Sequence, residues 1–191
     1  YQNLGHHYLK KDMADEALKA YLSFYRLSQG HNQLYAAIGL AQAYIHNKRP
    51  KEAKKILEDL HNSYNGVDTK ILKIILFELG KIEHTFNKDY TKAEEYFDHL
   101  IAMYDESEVA AAYWFKGDIA ELRGEKDMAN NYFQLALKGS NETYLQYNCA
   151  RSLLYLTIDS IKQPELYNYV KLFEQMGDSI NRIERRTEID E

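Results

Sequence analysis

The fold of this chain is decided by residues 1–21, which read YQNLGHHYLKKDMADEALKAY. Two stretches of helix-forming residues flank the polar turn Lys10-Lys11-Asp12, and in the second stretch Ala17 is followed four residues later by Tyr21. A spacing of four places both side chains on one face of an α-helix. The segment therefore predicts two short helices joined by a turn.

The same pairing of an alanine with a bulky apolar residue returns three more times. Starting from Ala17, the alanines follow one another at steps of 36, 40 and 36 residues: Ala53 with Leu57, Ala93 with Phe97, and Ala129 with Phe133. A tiny residue stands about 12 positions before each alanine, where it would let two helices pack closely: Gly5, Ala41, Gly80 and Gly117. A self-similar period of about 20–50 residues indicates stacked supersecondary units. We therefore expect an all-α solenoid rather than a globule around one central core.

The pattern resembles the tetratricopeptide repeat (TPR), a helix–turn–helix unit of about 34 residues. The resemblance is carried by Tyr1, Leu4, Gly5, Tyr8, Ala17 and Tyr21 in the first unit and by Leu40, Ala41, Tyr44, Ala53 and Leu57 in the second. The third unit departs from the pattern with Glu83 in place of Tyr and one extra residue in its turn, and the fourth has Lys116 and Ala120 in place of Leu and Tyr. The resemblance implies a right-handed TPR-like superhelical solenoid of about five helix pairs.

The repeats divide the chain into three parts. Residues 1–138 are expected to form four TPR-like helix pairs, the first truncated at its start, and residues 139–177 a divergent terminal pair whose second helix begins near Pro164. Residues 178–191 are dense in charge and predict either a helical connector or a frayed tail. Because the chain opens within a repeat at Tyr1 and has no initiator Met, we expect it to be part of a longer protein.

Composition and motifs exclude several classes of function. A net charge of −5 argues against direct nucleic-acid binding, which needs a basic face. The single cysteine, Cys149, excludes an internal disulfide and a cysteine-based metal site. The sequence contains no apolar run of about 18 residues, the length needed to span a membrane. There is no Gly-rich phosphate loop, H-E-x-x-H or G-x-S-x-G motif, and the seven histidines lack metal-site spacing with a carboxylate. We therefore predict no enzyme activity, no metal and no cofactor.

Candidate binding residues follow from the resemblance. In TPR solenoids the first helix of each pair lines a concave groove, through one residue three positions before the close-packing residue and one just after it. These positions are Gln2, His6, Ile38, Gln42, Phe77, Lys81, Trp114 and Asp118 and, by a looser match, Tyr147 and Arg151. His46, His84 and Glu121 lie a further turn along. Phe77 and Trp114 are the candidate apolar anchors for a partner; packing between adjacent helices is the alternative role for both.

The resemblance implies a non-catalytic module that binds a protein or peptide segment in its groove. Family members that hold a chain-terminal carboxylate use Lys and Asn at inner positions, and Asn3 and Lys81 alone do not make such a clamp.

The alternative is a ligand-sensing or regulatory domain of a larger signalling or transcription-regulating protein. A solenoid followed by residues 178–186, DSINRIERR, resembles the approach to a membrane helix in bacterial TPR sensor and regulator proteins, often from the Bacteroidetes group. This alternative places a membrane helix just downstream of the fragment and the fragment itself in the periplasm. A cytoplasmic location fits the first interpretation equally well, and the sequence leaves the oligomeric state open.

Overall fold

The computed structural model is all-α and describes residues 2–63, 69–103, 109–157 and 168–180. Within these ranges it contains ten α-helices, one π-helix and no β-strand, which confirms the predicted fold class. In chain order the α-helices are α1 (Gln2–Lys10), α2 (Ala14–Leu27), α3 (His31–His46), α4 (Pro50–Ser63), α5 (Thr69–Ile82), α6 (Tyr90–Met103), α7 (Ala110–Leu122), α8 (Lys126–Gly139), α9 (Thr143–Thr157) and α10 (168–180). Tyr1, the predicted helix start at Pro164 and most of the charged segment, residues 181–191, lie outside the described residues.

The chain divides into two compact units, Tyr1–His99 and Leu100–Glu191. In the first unit each helix packs on the next, from α1 on α2 through to α4 on α5. The first helices of successive pairs also contact one another, α1 with α3 and α3 with α5. In the second unit α7 packs on α8 and α8 on α9. Contacts between neighbours in sequence are typical of stacked helix pairs.

Each of the turns inside the four pairs contains a residue in the left-handed backbone conformation. The left-handed residues have φ values of 55°, 56°, 58° and 77°: Asp12, Lys48, Lys88 and Gly124. The residue after each donates its backbone N–H back to the first helix, as Met13 does to the Tyr8 carbonyl at 2.9 Å. This bond satisfies a carbonyl that would otherwise be unpaired at the helix end. The polar turns predicted from the sequence are therefore the points at which the first helices end.

The extra residue of the third pair is accommodated in the π-helix Glu83–Asn87, between α5 and α6. A π-turn contains one residue more than an α-turn. The bond that closes the turn accordingly reaches one residue further than in the other pairs, from the Asp89 N–H to the Glu83 carbonyl at 3.0 Å.

Glu83, which stands where the TPR pattern has Tyr, is only 1% exposed. Its carboxylate lies 2.6 Å from Lys54 Nζ and accepts a hydrogen bond from Asn87 Nδ2 at 2.7 Å. A buried charge is tolerated only when it is paired and hydrogen-bonded. Lys54 and Asn87 therefore compensate the replacement of Tyr by Glu.

Tiny residues of the first helices face bulky residues of the second helices, which agrees with the close helix packing expected from the sequence. A Cβ atom placed on Gly80 would lie 2.6 Å from Phe97, and one on Gly117 would lie 2.6 Å from Phe133. Carbon atoms in ordinary contact are about 3.5–4.0 Å apart. Both positions therefore have no room for a side chain.

The tightest contact involves Gly39, which the repeat pattern does not single out. A Cβ atom on Gly39 would lie 2.1 Å from one edge of the Tyr21 ring, and one on Gly5 would lie 2.6 Å from the opposite edge. The Tyr21 ring is therefore held between α1 and α3.

Candidate functional site

Six of the predicted groove residues lie in the first unit, on α1, α3 and α5. Gln2 and His6 are exposed, whereas Gln42, Phe77 and Lys81 are half-buried. The sixth residue, Ile38, is 5% exposed and belongs to a core cluster with Leu57 and Ile75. Ile38 therefore packs into the core, whereas the other five residues keep accessible surface.

A buried carboxylate links α3 to α5 in this unit. Glu78 is 6% exposed, and its Oε1 accepts a hydrogen bond from Gln42 Nε2 at 3.1 Å while its Oε2 accepts one from Lys81 Nζ at 2.9 Å. The Lys81 ammonium also lies 5.4 Å from the centroid of the Phe77 ring. The four side chains form one connected cluster in which each polar side chain makes a hydrogen bond.

Sequence reasoning placed Gln42 and Lys81 on the inner face and missed Glu78. The position of Glu78 in the repeat is an interior one, so the family pattern does not mark it as a site residue. The available signal was the spacing of three between Glu78 and Lys81, which allows an ion pair on one helix.

The three polar members of the cluster, Gln42, Glu78 and Lys81, line a cavity of about 240 Å³. Leu9 of α1 and Ile45 of α3 supply its apolar wall, and Gln42, His46, Glu78 and Lys81 supply its polar groups. We call this cavity the Glu78–Lys81 cavity. A separate depression of about 350 Å³ runs along α1 and is lined by Gln2, Asn3, His6, His7 and Lys10.

His6 connects this face to the core. Its Nδ1 lies 3.2 Å from the hydroxyl oxygen of Tyr21. Burial raises the pKa of Tyr21 above its ordinary value of 10.0. The hydroxyl, which is protonated at neutral pH even without this shift, can donate to the imidazole. Tyr21 differs in this respect from its counterparts Leu57, Phe97 and Phe133, which have no polar atom to offer.

Trp114, on α7 of the second unit, is half-buried. It packs against the cluster of Ala120, Ala129, Phe133 and Leu153 and makes an edge-on contact with Phe115 at a centroid distance of 5.0 Å. Its Nε1 is buried and has no hydrogen-bond partner among the described residues. Trp114 thus contributes to the core of this unit while keeping some accessible surface.

The other predicted residues of the second unit are Asp118 on α7 and Tyr147 and Arg151 on α9. Asp118 and Tyr147 are half-buried and Arg151 is exposed. The Tyr147 ring stacks on Phe173 of α10 at a centroid distance of 4.7 Å. Burial, and secondarily the charge of Asp118, raises the pKa of Glu121. Asp118 and Glu121 therefore place two acidic groups about one helical turn apart on α7.

His46 and His84, predicted from the sequence to lie one helical turn beyond the groove positions, have different surroundings. His46 lines the Glu78–Lys81 cavity. His84 is buried within the π-helix, with its ring 5.7 Å from that of Tyr90.

The described residues hold no group of three or more His, Cys, Asp or Glu side chains that could share a metal ion. Cys149 is buried, and burial raises the pKa of its thiol to about 12, so the reactive thiolate is scarce at neutral pH. Across the described ranges no helix combines the length and apolar character needed to cross a membrane.

Comparison with known proteins bears on the fold. The crystal structure of MamA, a TPR-containing protein, matches with a TM-score of 0.66 and 17% sequence identity, over 95% of this chain and 99% of the MamA chain. No protein-family model matches the sequence, and no curated protein matches it. The structural likeness and the helix pairing together show that this chain has the fold of a TPR-like helical solenoid.

Proposed function

We propose that this chain is a non-catalytic binding module that holds a protein or peptide segment against the inner faces of its first helices. The observation that carries the proposal is the Glu78–Lys81 cavity, where an apolar wall and polar side chains lie side by side. Binding sites combine apolar lining with a few well-placed polar groups in this way. The TPR-like fold supports a protein partner.

Preorganisation strengthens this interpretation. The hydrogen bonds of Gln42 and Lys81 to Glu78 hold both side chains before any partner arrives. A partner then loses less free energy in ordering flexible side chains of the module. In the second unit, the accessible part of Trp114 is the proposed apolar anchor, with Asp118 and Arg151 as polar groups that orient the segment.

Site-specific photo-crosslinking tests the proposal. A photoreactive amino acid replaces Gln42 in one variant and Lys55, an exposed residue of α4, in a control variant. We expect a protein partner from the source cells to crosslink at position 42 and not at position 55. Equal crosslinking at both positions, or none at position 42, would contradict binding at the inner face.

The non-catalytic part of the proposal has its own test. We expect the purified protein to show no turnover with panels of hydrolase and transferase substrates. Robust turnover that survives further purification would overturn it.

The regulatory alternative stays a prediction, as does the division into residues 1–138, 139–177 and 178–191. Residues 181–191, on which the connector depends, lie outside the described residues. Reading the gene beyond residue 191 tests this alternative. A membrane helix followed by a DNA-binding or kinase segment would support it, and a stop codon directly after residue 191 would rule it out.

A further inference from the structure

The Glu78–Lys81 cavity presents a positive charge to an incoming ligand. The Lys81 side chain is 33% exposed, whereas that of Glu78 is 7% exposed. An ammonium group has three N–H donors, and Glu78 accepts from one of them. A ligand therefore meets the ammonium of Lys81 before it can reach the carboxylate beneath it.

Apart from the buried Glu78, the ionisable side chains around the cavity are bases. His46 lines it, and the depression along α1 adds His6, His7 and Lys10. Glu78 is the one carboxylate in the two linings, and it is already paired with Lys81. With the histidines neutral, the two lysines and one carboxylate leave these linings with a formal charge of +1, whereas the chain as a whole carries −5. A local field of this kind attracts and orients an acidic partner.

We propose that the Glu78–Lys81 cavity binds a glutamate side chain from within the partner segment, an inference that rests on the proposed function. The carboxylate accepts hydrogen bonds from Lys81 Nζ and from the His46 imidazole. The two methylene groups of the glutamate pack on Leu9 and Ile45. Glu78 acts beneath the ligand as a positioning residue that fixes the Lys81 ammonium.

Size and hydrogen bonding favour an internal side chain over a chain terminus. The cavity of about 240 Å³ is smaller than the roughly 300–1,000 Å³ typical of sites for whole small molecules, and suits one side chain. Holding a terminal carboxylate requires several donors, and the amide of Gln42 already donates to Glu78. Lys81, His46 and the second N–H of the Gln42 amide are the remaining donors of the lining, and they can serve one side-chain carboxylate.

The test uses three peptide probes in nuclear magnetic resonance titrations of the full chain. The probes are hexaglutamate and hexalysine, both acetylated and amidated, and acetyl-hexaserine with a free terminal carboxylate. We expect hexaglutamate alone to shift the backbone signals of Ile45, His46 and Lys81. Lys81→Met should weaken hexaglutamate binding about ten-fold, the loss expected for one charge-assisted contact.

Two further variants keep the result interpretable. Lys81→Arg retains the charge and should bind hexaglutamate within about three-fold of the wild type, because the loss of fixed ammonium geometry is the main change. Lys55→Met removes a charge from the outer helix α4 and should leave binding unchanged. If Lys81→Met does not fold, the Lys81→Arg variant and the wild-type signal map still decide the outcome.

Several results would overturn the inference. These are tighter binding of hexalysine, equal binding of the free hexaserine carboxylate, equal losses in Lys81→Met and Lys55→Met, or no shift at the cavity with any probe. If position 42 crosslinks to a partner while hexaglutamate fails to bind, the proposed function stands and the glutamate inference falls. If neither is seen, both fall.

Discussion

Substituting Gly39 by Ala tests how closely the helix pairs are packed. The new Cβ would lie 2.1 Å from Cε1 and 2.5 Å from Cδ1 of Tyr21, far inside the ordinary separation of about 3.5–4.0 Å. The ring has no room to retreat, because Gly5 of α1 lies against its opposite edge. Overpacking costs about 1–3 kcal/mol, and we take the upper end because the overlap is severe. Replacing Gly by Ala stabilises the helix by about 1 kcal/mol through helix propensity. The free energy of unfolding should therefore fall by about 2 kcal/mol in total.

Urea unfolding followed by circular dichroism measures this loss. Gly39→Ala should lower the midpoint while leaving the slope of the transition unchanged. Gly177→Ala is the matched control, because its Cβ would have its nearest contact at 3.9 Å, to Tyr147, and it should stabilise the protein by up to about 1 kcal/mol. A Gly39→Ala protein as stable as the wild type, or two glycine variants that shift in the same direction, would refute the close-packing argument.

Three other residues, Lys54, Cys149 and Trp114, provide further tests. Lys54→Met leaves the buried Glu83 with Asn87 as its partner and should lower the free energy of unfolding in urea by about 2–3 kcal/mol. This is below the ~3–5 kcal/mol of a fully buried pair, because a quarter of the Lys54 side chain is exposed. An unchanged free energy of unfolding would show that the pair is not needed. The hydrogen bond to Glu83 raises the pKa of Lys54 above its ordinary 10.5. The stability that the pair contributes should therefore persist below that pH and disappear as the pH rises through the raised pKa. The wild type should lose this stability over that range of pH, whereas Lys54→Met should not. Cys149, with its pKa raised to about 12, should resist thiol reagents at pH 8 in the folded protein and react on unfolding; fast labelling of the native protein would contradict its burial. Trp114→Phe should lower the free energy of unfolding by less than about 1 kcal/mol, because Nε1 makes no hydrogen bond to a described residue. Trp114→Ala, which removes the ring, should lower it by about 3 kcal/mol or more. Equal losses in the two variants would show that the ring does not pack as described.

The architecture could be predicted from the sequence because each repeat contains both residues of the contact between its two helices. Gly117 and Phe133 occupy fixed places in the pattern, and the structure brings them together. Such contacts lie within one helix pair, so the order of residues along the chain is enough to find them.

The candidate binding surface could be predicted only in part, because it depends on contacts between helix pairs. A rule for the inner face cannot tell Ile38, which the neighbouring helices bury, from Gln42, which they leave accessible. Glu78 and Gly39 acquire their roles from side chains 36 and 18 residues away, Gln42 and Tyr21. The spacing of three to Lys81 indicates an ion pair for Glu78, but no local spacing marks its contact with Gln42 or the role of Gly39.

The π-helix has a consequence for anyone who wishes to move a repeat of this chain into another scaffold. The third pair contains Glu83 and Asn87, yet the cation that neutralises Glu83 comes from Lys54 in the pair before it. A graft cut at the repeat boundary would deliver a buried carboxylate without its counter-ion. The smallest portable module here therefore runs across that boundary, from α4 to α6, and the lengthened turn and its lysine have to be transferred together.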